Sequence, residues 1–497
     1  MFQWDVWGYR SALALLLWVP FSFWLFSRER PARAAAHVLV WGMMWLPEGA
    51  AFDLPALPPF SKYTFAAVGA LLGTYWRARS RLHAARLGRG YDLIVLTMML
   101  GQLGTVMTNQ DPLHYGTWKS IDIPGFTYYD GISAAVRVLM QVGIPVILGR
   151  ALIRSERDLR DVFEVLVVGG LVYSIPMLWE LRMSPMLHVN VYGFAARDDW
   201  AQNLRAGGYR PTVFMGHGLV VGFFMFVCTT AAITLHKAGK RQLYGVPMGA
   251  VIAYLFVMLL LAKAAASFIY GVVAYALIRY VSVKGQMRVL LLLALVVVSY
   301  PAARLSDVFP TQALLSAAET LGPDRVQSLQ FRFDNEDILA DKGSERMLFG
   351  WGGFSRERVF DAETGKDIVI QDGHWITVFG QMGLVGFVCF YAPLLWPVVQ
   401  AARGMRKIQS RAQRSLLAGL GFIVVVCSVN MLPNMQFPTL QFYFAAGLAV
   451  LMKELPRRAA EERERAARDA AKRASLAGRE SGRVSDPPPQ PEYRRAS

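Results

Sequence analysis

The sequence predicts an all-α polytopic membrane protein of about twelve or thirteen transmembrane helices, with one large, mostly helical loop on the outer side. Composition, the length of the apolar runs and the alternation of basic connections predict it. Of 497 residues, 54% are hydrophobic and 18% charged, and the mean hydropathy is +0.32. A soluble chain of this length carries more charge and breaks its apolar residues into short periodic stretches. Here they gather into runs near the ~20 residues that cross a bilayer as a helix.

The candidate spans lie at 11–27, 35–52, 62–76, 91–108, 131–149, 162–181, 212–235, 243–262, 264–281, 289–303, 374–399, 415–432 and 436–452. Those at 62–76 and 289–303 are short, so tilt or partial insertion is expected there. Alternate connections are basic, among them "RERPAR" (28–33), "RARSRLHAARLGR" (77–89) and "RGMRKIQSRAQR" (403–414). With the tail from Lys453, the basic connections hold 35 of the 52 lysines and arginines. That side, with the C-terminus, is expected in the cytoplasm, and the N-terminus outside. The net charge of +16 is then an orientation signal, and no nucleic-acid partner is implied. The first span ends in Arg28-Glu29-Arg30, not in a small-residue cleavage site. Cys228, Cys389 and Cys427 fall inside spans without pairing or metal spacing and read as packing residues.

Four regions follow. Residues 1–303 hold the first ten spans and an external connection at 182–211; 304–373 form the large external loop; 374–452 hold the last spans; 453–497 form a basic cytoplasmic tail. The loop carries thirteen Asp and Glu against eight Lys and Arg, and it is too rich in Phe, Leu and Trp to be disordered. "TQALLSAAETLG" (311–322) reads as a helix capped by Thr311 and stopped at Gly322-Pro323, and 323–341 as a second helix. "FGWGGF" (349–354) is a bend where backbone can pass close to a ligand, and "AETGKD" (362–367) a turn between extended pieces. In the tail, 457–474 is a charged, alanine-rich helix former, and the Pro-rich 485–497 reads as disordered.

Four cations approach the outer leaflet from separate stretches: Arg137 inside the fifth span, Arg210 ahead of the seventh, Lys263 between the eighth and ninth, and Arg332 in the loop. An ionisable group within a span is a functional candidate by default, and guanidinium groups match phosphate oxygens bidentately. Such a set suits a diphosphate or another anionic head group. Each cation also has a plain structural reading: snorkelling for Arg137, a turn position for Lys263, an i,i+4 pair with Glu336 for Arg332. Asp372 and His374, at the start of the eleventh span, are candidate proton acceptors. The alternatives are a helix cap for Asp372 and an interfacial position beside Trp375 for His374. His188 and His217 carry weaker signals. No metal-ligand spacing, phosphate loop, dinucleotide fingerprint or nucleophile elbow occurs, so no cofactor or metal is expected.

"FGWGGF" followed by "DGHWITVFGQMGLVGF", with the arginines of "YRPTVFMGHGLV" and "QFRFDNEDIL", resembles the O-antigen ligase and polysaccharide polymerase superfamily over residues 205–400. The resemblance implies a multi-pass protein of the bacterial inner membrane whose large loop is periplasmic. It implies a glycosyltransferase, independent of metal, that takes glycan from an undecaprenyl-diphosphate-linked oligosaccharide. Arg210 and Arg332 would hold the diphosphate, and a base at the loop's end would activate the acceptor hydroxyl, a role shared here between Asp372 and His374. Trp375 stands where the family commonly has an asparagine. The acceptor is a second carrier-linked glycan in a polymerase, the reading the sequence favours, or lipid A-core or protein in a ligase; other polysaccharide assembly proteins are expected partners. A lipid-linked glycan transporter is the competing class, disfavoured by the structured loop and by the scarcity of intramembrane charge.

Overall fold

The computed structural model describes residues 4–54, 57–85, 90–117, 121–196, 203–205, 207–320, 322–434 and 439–481. They are mostly helical, and each of the thirteen apolar runs overlaps a helix. The second run's helix ends at Trp45, short of the expected 52, the seventh run's starts at Gly218, after the expected 212, and the run at 131–149 is divided between two helices. In chain order the helices are α1 (Trp4–Arg28), α2 (Pro31–Trp45), α3 (Lys62–Ala84), α4 (Tyr91–Met107), α5 (Tyr128–Val138), α6 (Ile144–Leu152), α7 (Glu156–Met183) and the short α8 (Leu187–Tyr192). Then come α9 (Gly218–Lys237), α10 (Met248–Leu261), α11 (Ala265–Tyr280), α12 (Val283–Leu305), α13 (Thr311–Glu319), α14 (Pro323–Glu345), α15 (His374–Gly404), α16 (Arg411–Asn430) and α17 (Thr439–Ser481). Among the described residues, seven helices are long and apolar enough to cross a membrane, and α4, α10 and α11 are shorter apolar helices. Leu260, Ile269, Leu292 and Leu295 are each more than half exposed around the bundle, an outer surface suited to lipid and unsuited to water.

Serine caps start three helices on the basic connections. Ser155, Ser282 and Ser410 accept from the backbone N–H groups of Asp158, Gly285 and Gln413, satisfying donors that a helix start leaves open. Inside the bundle, small residues let helices approach closely. Gly149 of α6 lies against the backbone of Tyr443 in α17, and Gly170 of α7 against Cys228 of α9. All three cysteines are buried and free.

Among the described residues, four two-stranded antiparallel hairpins, each of two- or three-residue strands, decorate the connections. The 304–373 segment folds largely as its pattern predicts. α14 extends to Glu345, and an antiparallel bridge joins Phe360 to Asp367 around the "AETGKD" turn. Thr311 is not the cap of α13. Pro310 holds that position, while the Thr311 hydroxyl accepts from Arg304 Nη1 at 3.1 Å. The charged stretch 457–474 continues α17 as helix; the Pro-rich 485–497 lie outside the described residues.

α15 is interrupted. Gly383 sits at φ 62°, ψ −163°, and the loop segment 347–352 inserts beside the break. The backbone N–H groups of Trp351 and Gly352 donate to Gly380 O and Gln381 O at 2.8 and 2.9 Å, and Leu384 N–H donates to Met347 O at 2.7 Å. The loop thus supplies the partners that the broken helix lacks. This close approach explains Gly350 of "FGWGGF", while Gly352 faces the Phe126 ring. A Cβ on Gly350 would meet the Gln381 backbone at 2.6 Å. At Gly350 the bend admits helix backbone, and Gly352 to Phe354 of the same bend line a cavity.

Candidate functional site

A cavity of about 440 Å³ opens between α4, α5, α15 and the loop. α5 begins at a capping box, in which the Thr127 backbone N–H donates to Asp130 Oδ2 at 2.7 Å. A single wide π-helical turn, Leu139–Gly143, then joins it to α6. Such turns shift the side-chain register and recur at functional sites. Ala134, Arg137, Val138, Gln141 and Val142 all line the cavity. Among the described residues Arg137 has no ion pair or side-chain hydrogen bond, so its charge is available to a ligand. α4 contributes Met98, Gln102 and Thr105, and α15 contributes His374, Thr377 and Gln381.

His374 is the first residue of α15. Its backbone N–H donates to Met431 O at 2.9 Å, and its ring lies 5.1 Å from that of Phe390. Gln381 is held by a 2.7 Å bond from its Nε2 to Glu357 Oε1, and burial pushes the Glu357 carboxyl above its ordinary range. Gly352, Gly353 and Phe354 of the loop also line the cavity. The loop is clamped there by two arginines. Arg346 bonds Thr108 O and, at 2.8 Å, Asp111 Oδ2. The fully buried Arg356 donates to Pro124 O and Asp111 O at 3.0 and 2.9 Å.

The candidates named from the sequence separate into three groups. Arg137 and His374 share the cavity. Arg332 and Asp372 pair with each other, Nε to Oδ2 at 3.4 Å, and line a separate recess of about 70 Å³ with Tyr300 and Glu336. The i,i+4 pair between Arg332 and Glu336 is not formed. Glu336 instead accepts from Tyr300 Oη at 2.6 Å and Trp375 Nε1 at 3.1 Å, and it faces Arg304 Nε at 3.3 Å. Trp375 is therefore fully buried and forms no interfacial belt. Asp372 is not the helix cap either, since Gly373 occupies that position.

Arg210 and Lys263 form the third group, and neither lines the cavity. The Arg210 guanidinium packs on Gly218 at the start of α9 and is almost wholly buried. Burial, with Arg205 adding to it, lowers its pKa to about 10, so it stays cationic at neutral pH. Lys263, in the turn between α10 and α11 at φ 50°, donates to Arg205 O at 2.9 Å and supports the strand pair Leu204–Arg205 with Gly208–Tyr209.

Sequence reasoning missed one cluster on the cavity wall. Glu48 lines the cavity and takes Lys62 Nζ at 2.9 Å and Tyr63 Oη at 3.1 Å. The fully buried Lys62 also donates to Met43 O and Phe214 O at 3.0 and 2.9 Å, fastening the segment after Arg210 to this wall. The available signal was an acid inside the apolar run 35–52. No model of a known protein family matches the chain, and no curated protein is significantly similar to it.

Proposed function

We propose that the protein is a membrane glycosyltransferase that moves glycan from an undecaprenyl diphosphate carrier onto an acceptor hydroxyl. The reading rests on one observation: Arg137, without an ion pair among the described residues, and His374 line the same cavity. Arg137 binds a diphosphate oxygen and stabilises the charge that grows as the sugar departs. The acceptor oxygen attacks the anomeric carbon, the carbon–oxygen bond to the diphosphate breaks, and its electron pair leaves with the diphosphate. The acceptor proton passes to His374, which stands in the cavity at the start of α15. Asp372 is assigned to positioning, through its pair with Arg332. The cavity then faces the periplasm of a bacterial inner membrane, beneath the 304–373 loop, in a bundle of about twelve or thirteen spans.

Purified protein given synthetic undecaprenyl-diphosphate oligosaccharide in the presence of EDTA is expected to build a ladder of longer glycans. Release of undecaprenyl diphosphate only on adding lipid A-core would make the enzyme a ligase. No turnover with either acceptor, alongside movement of the carrier-linked glycan across liposomes, would replace the proposal with a transporter.

A further inference from the structure

A second cavity lies directly along the helices that line the first. It is an apolar groove of about 770 Å³. α4 runs through both: Tyr91 and Ile94 line the groove, and Met98, Gln102 and Thr105 line the upper cavity. Their spacing, three or four residues at each step, puts all five on one face of the helix. α15 repeats the pattern, with Thr377 and Gln381 above its break and Val388, Tyr391 and Leu395 below. The α5–α6 segment also reaches both, with Arg137 of α5 and Gln141 of the π-helical turn above, and Arg150 of α6 and Arg154 just past its end below.

We propose that the two cavities form one lipid site, with an anionic head at Arg137 and a single long polyisoprenoid chain lying down the α4–α15 seam into the lower groove. This rests on the carrier-dependent reading above and adds where the carrier's tail is held. Length favours the isoprenoid over an ordinary phospholipid. Tyr91 and Val106 are fifteen residues apart, about 22 Å of helix. An acyl chain reaches only about half of the ~30 Å hydrocarbon core. The far end of the groove is lined by residues held in polar pairs. Arg150 bonds Asp92 at 2.6 Å, and Arg154 bonds Glu454 at 2.7 Å. These pairs neutralise one another, which suits the end of an apolar tail better than a second head group, although Lys453 also stands at this rim.

The test measures binding, which needs no turnover. The full chain in nanodiscs is titrated with undecaprenyl diphosphate and with farnesyl diphosphate. Ala392→Trp and Val388→Trp, both on the groove wall, are expected to weaken the long probe by about tenfold or more and leave the short one within about twofold. Val388 is more than half exposed, so its variant keeps the test open should the other fail to fold. A photoreactive group on the last isoprene of the long probe is expected to label residues 387–400 of α15. Equal weakening of both probes, no weakening of either, or labelling confined to α10 and α11 overturns the site. Tail-length discrimination without glycan transfer keeps the lipid site and removes the glycosyltransferase reading. Transfer without tail-length discrimination does the reverse.

Discussion

Arg332 Nε stands 3.4 Å from Asp372 Oδ2, two residues ahead of His374, and so ties the loop helix α14 to the start of α15. Both side chains are more than a third exposed, so screening limits the pair to under about 1 kcal/mol. Asp372→Asn is expected to reduce transfer by less than about tenfold, whereas His374→Ala removes a general base and costs about a hundredfold or more. Single-turnover rates of the two variants make the comparison. Equal losses would return Asp372 to the proton-transfer role.

Arg137 is costly where it stands. A cation within a span and without an ion pair among the described residues destabilises the fold unless a ligand compensates. Arg137→Met is expected to raise the melting temperature of the ligand-free protein and to weaken undecaprenyl diphosphate by about tenfold or more, the charge-assisted bonds being lost. A lower melting temperature would assign Arg137 a structural role instead.

Glu48 and Lys62 behave as a unit. Removing one partner leaves a buried charge, a loss of about 3–5 kcal/mol, so Glu48→Gln and Lys62→Met should each depress thermal stability strongly. The double variant Glu48→Gln with Lys62→Met should recover most of it. Additive losses in the double-mutant cycle would show that the two side chains are not coupled.

Gly383 tests the broken helix. Its positive φ disfavours any side chain, and a Cβ there would run into the Leu348 backbone. Gly383→Ala is expected to cost about 3 kcal/mol or more and to open the 347–352 segment to protease. Gly353→Ala, whose Cβ would meet nothing within 4 Å, should leave stability nearly unchanged.

Glu336 links stability to pH. Burial raises its carboxyl above the ordinary 4.5, against hydrogen bonds from Tyr300 and Trp375 and the charge of Arg304 that lower it. The folded state therefore holds this proton more tightly than the unfolded chain. The contribution is fully present below 4.5 and is lost as pH rises through the folded value. The stability of wild type relative to Glu336→Gln should fall across that window. A rise would mean that Arg304 outweighs burial.

The sequence by itself determined the helices. Thirteen apolar runs and their capped, basic connections predict thirteen helices because apolar length and backbone hydrogen bonding are local requirements that neighbouring residues satisfy. α13, α14 and the Phe360–Asp367 turn were legible for the same reason. Which charges meet was decided only by the tertiary structure. Arg137 and His374, more than two hundred residues apart in the chain, line one cavity. Asp372, two residues from His374, is drawn into another recess by Arg332. The pairing of Glu48 with Lys62 and the insertion of 347–352 beside Gly383 are equally non-local. Each depends on where a distant helix places a charge or a free backbone group, and residue spacing along one chain carries no record of that.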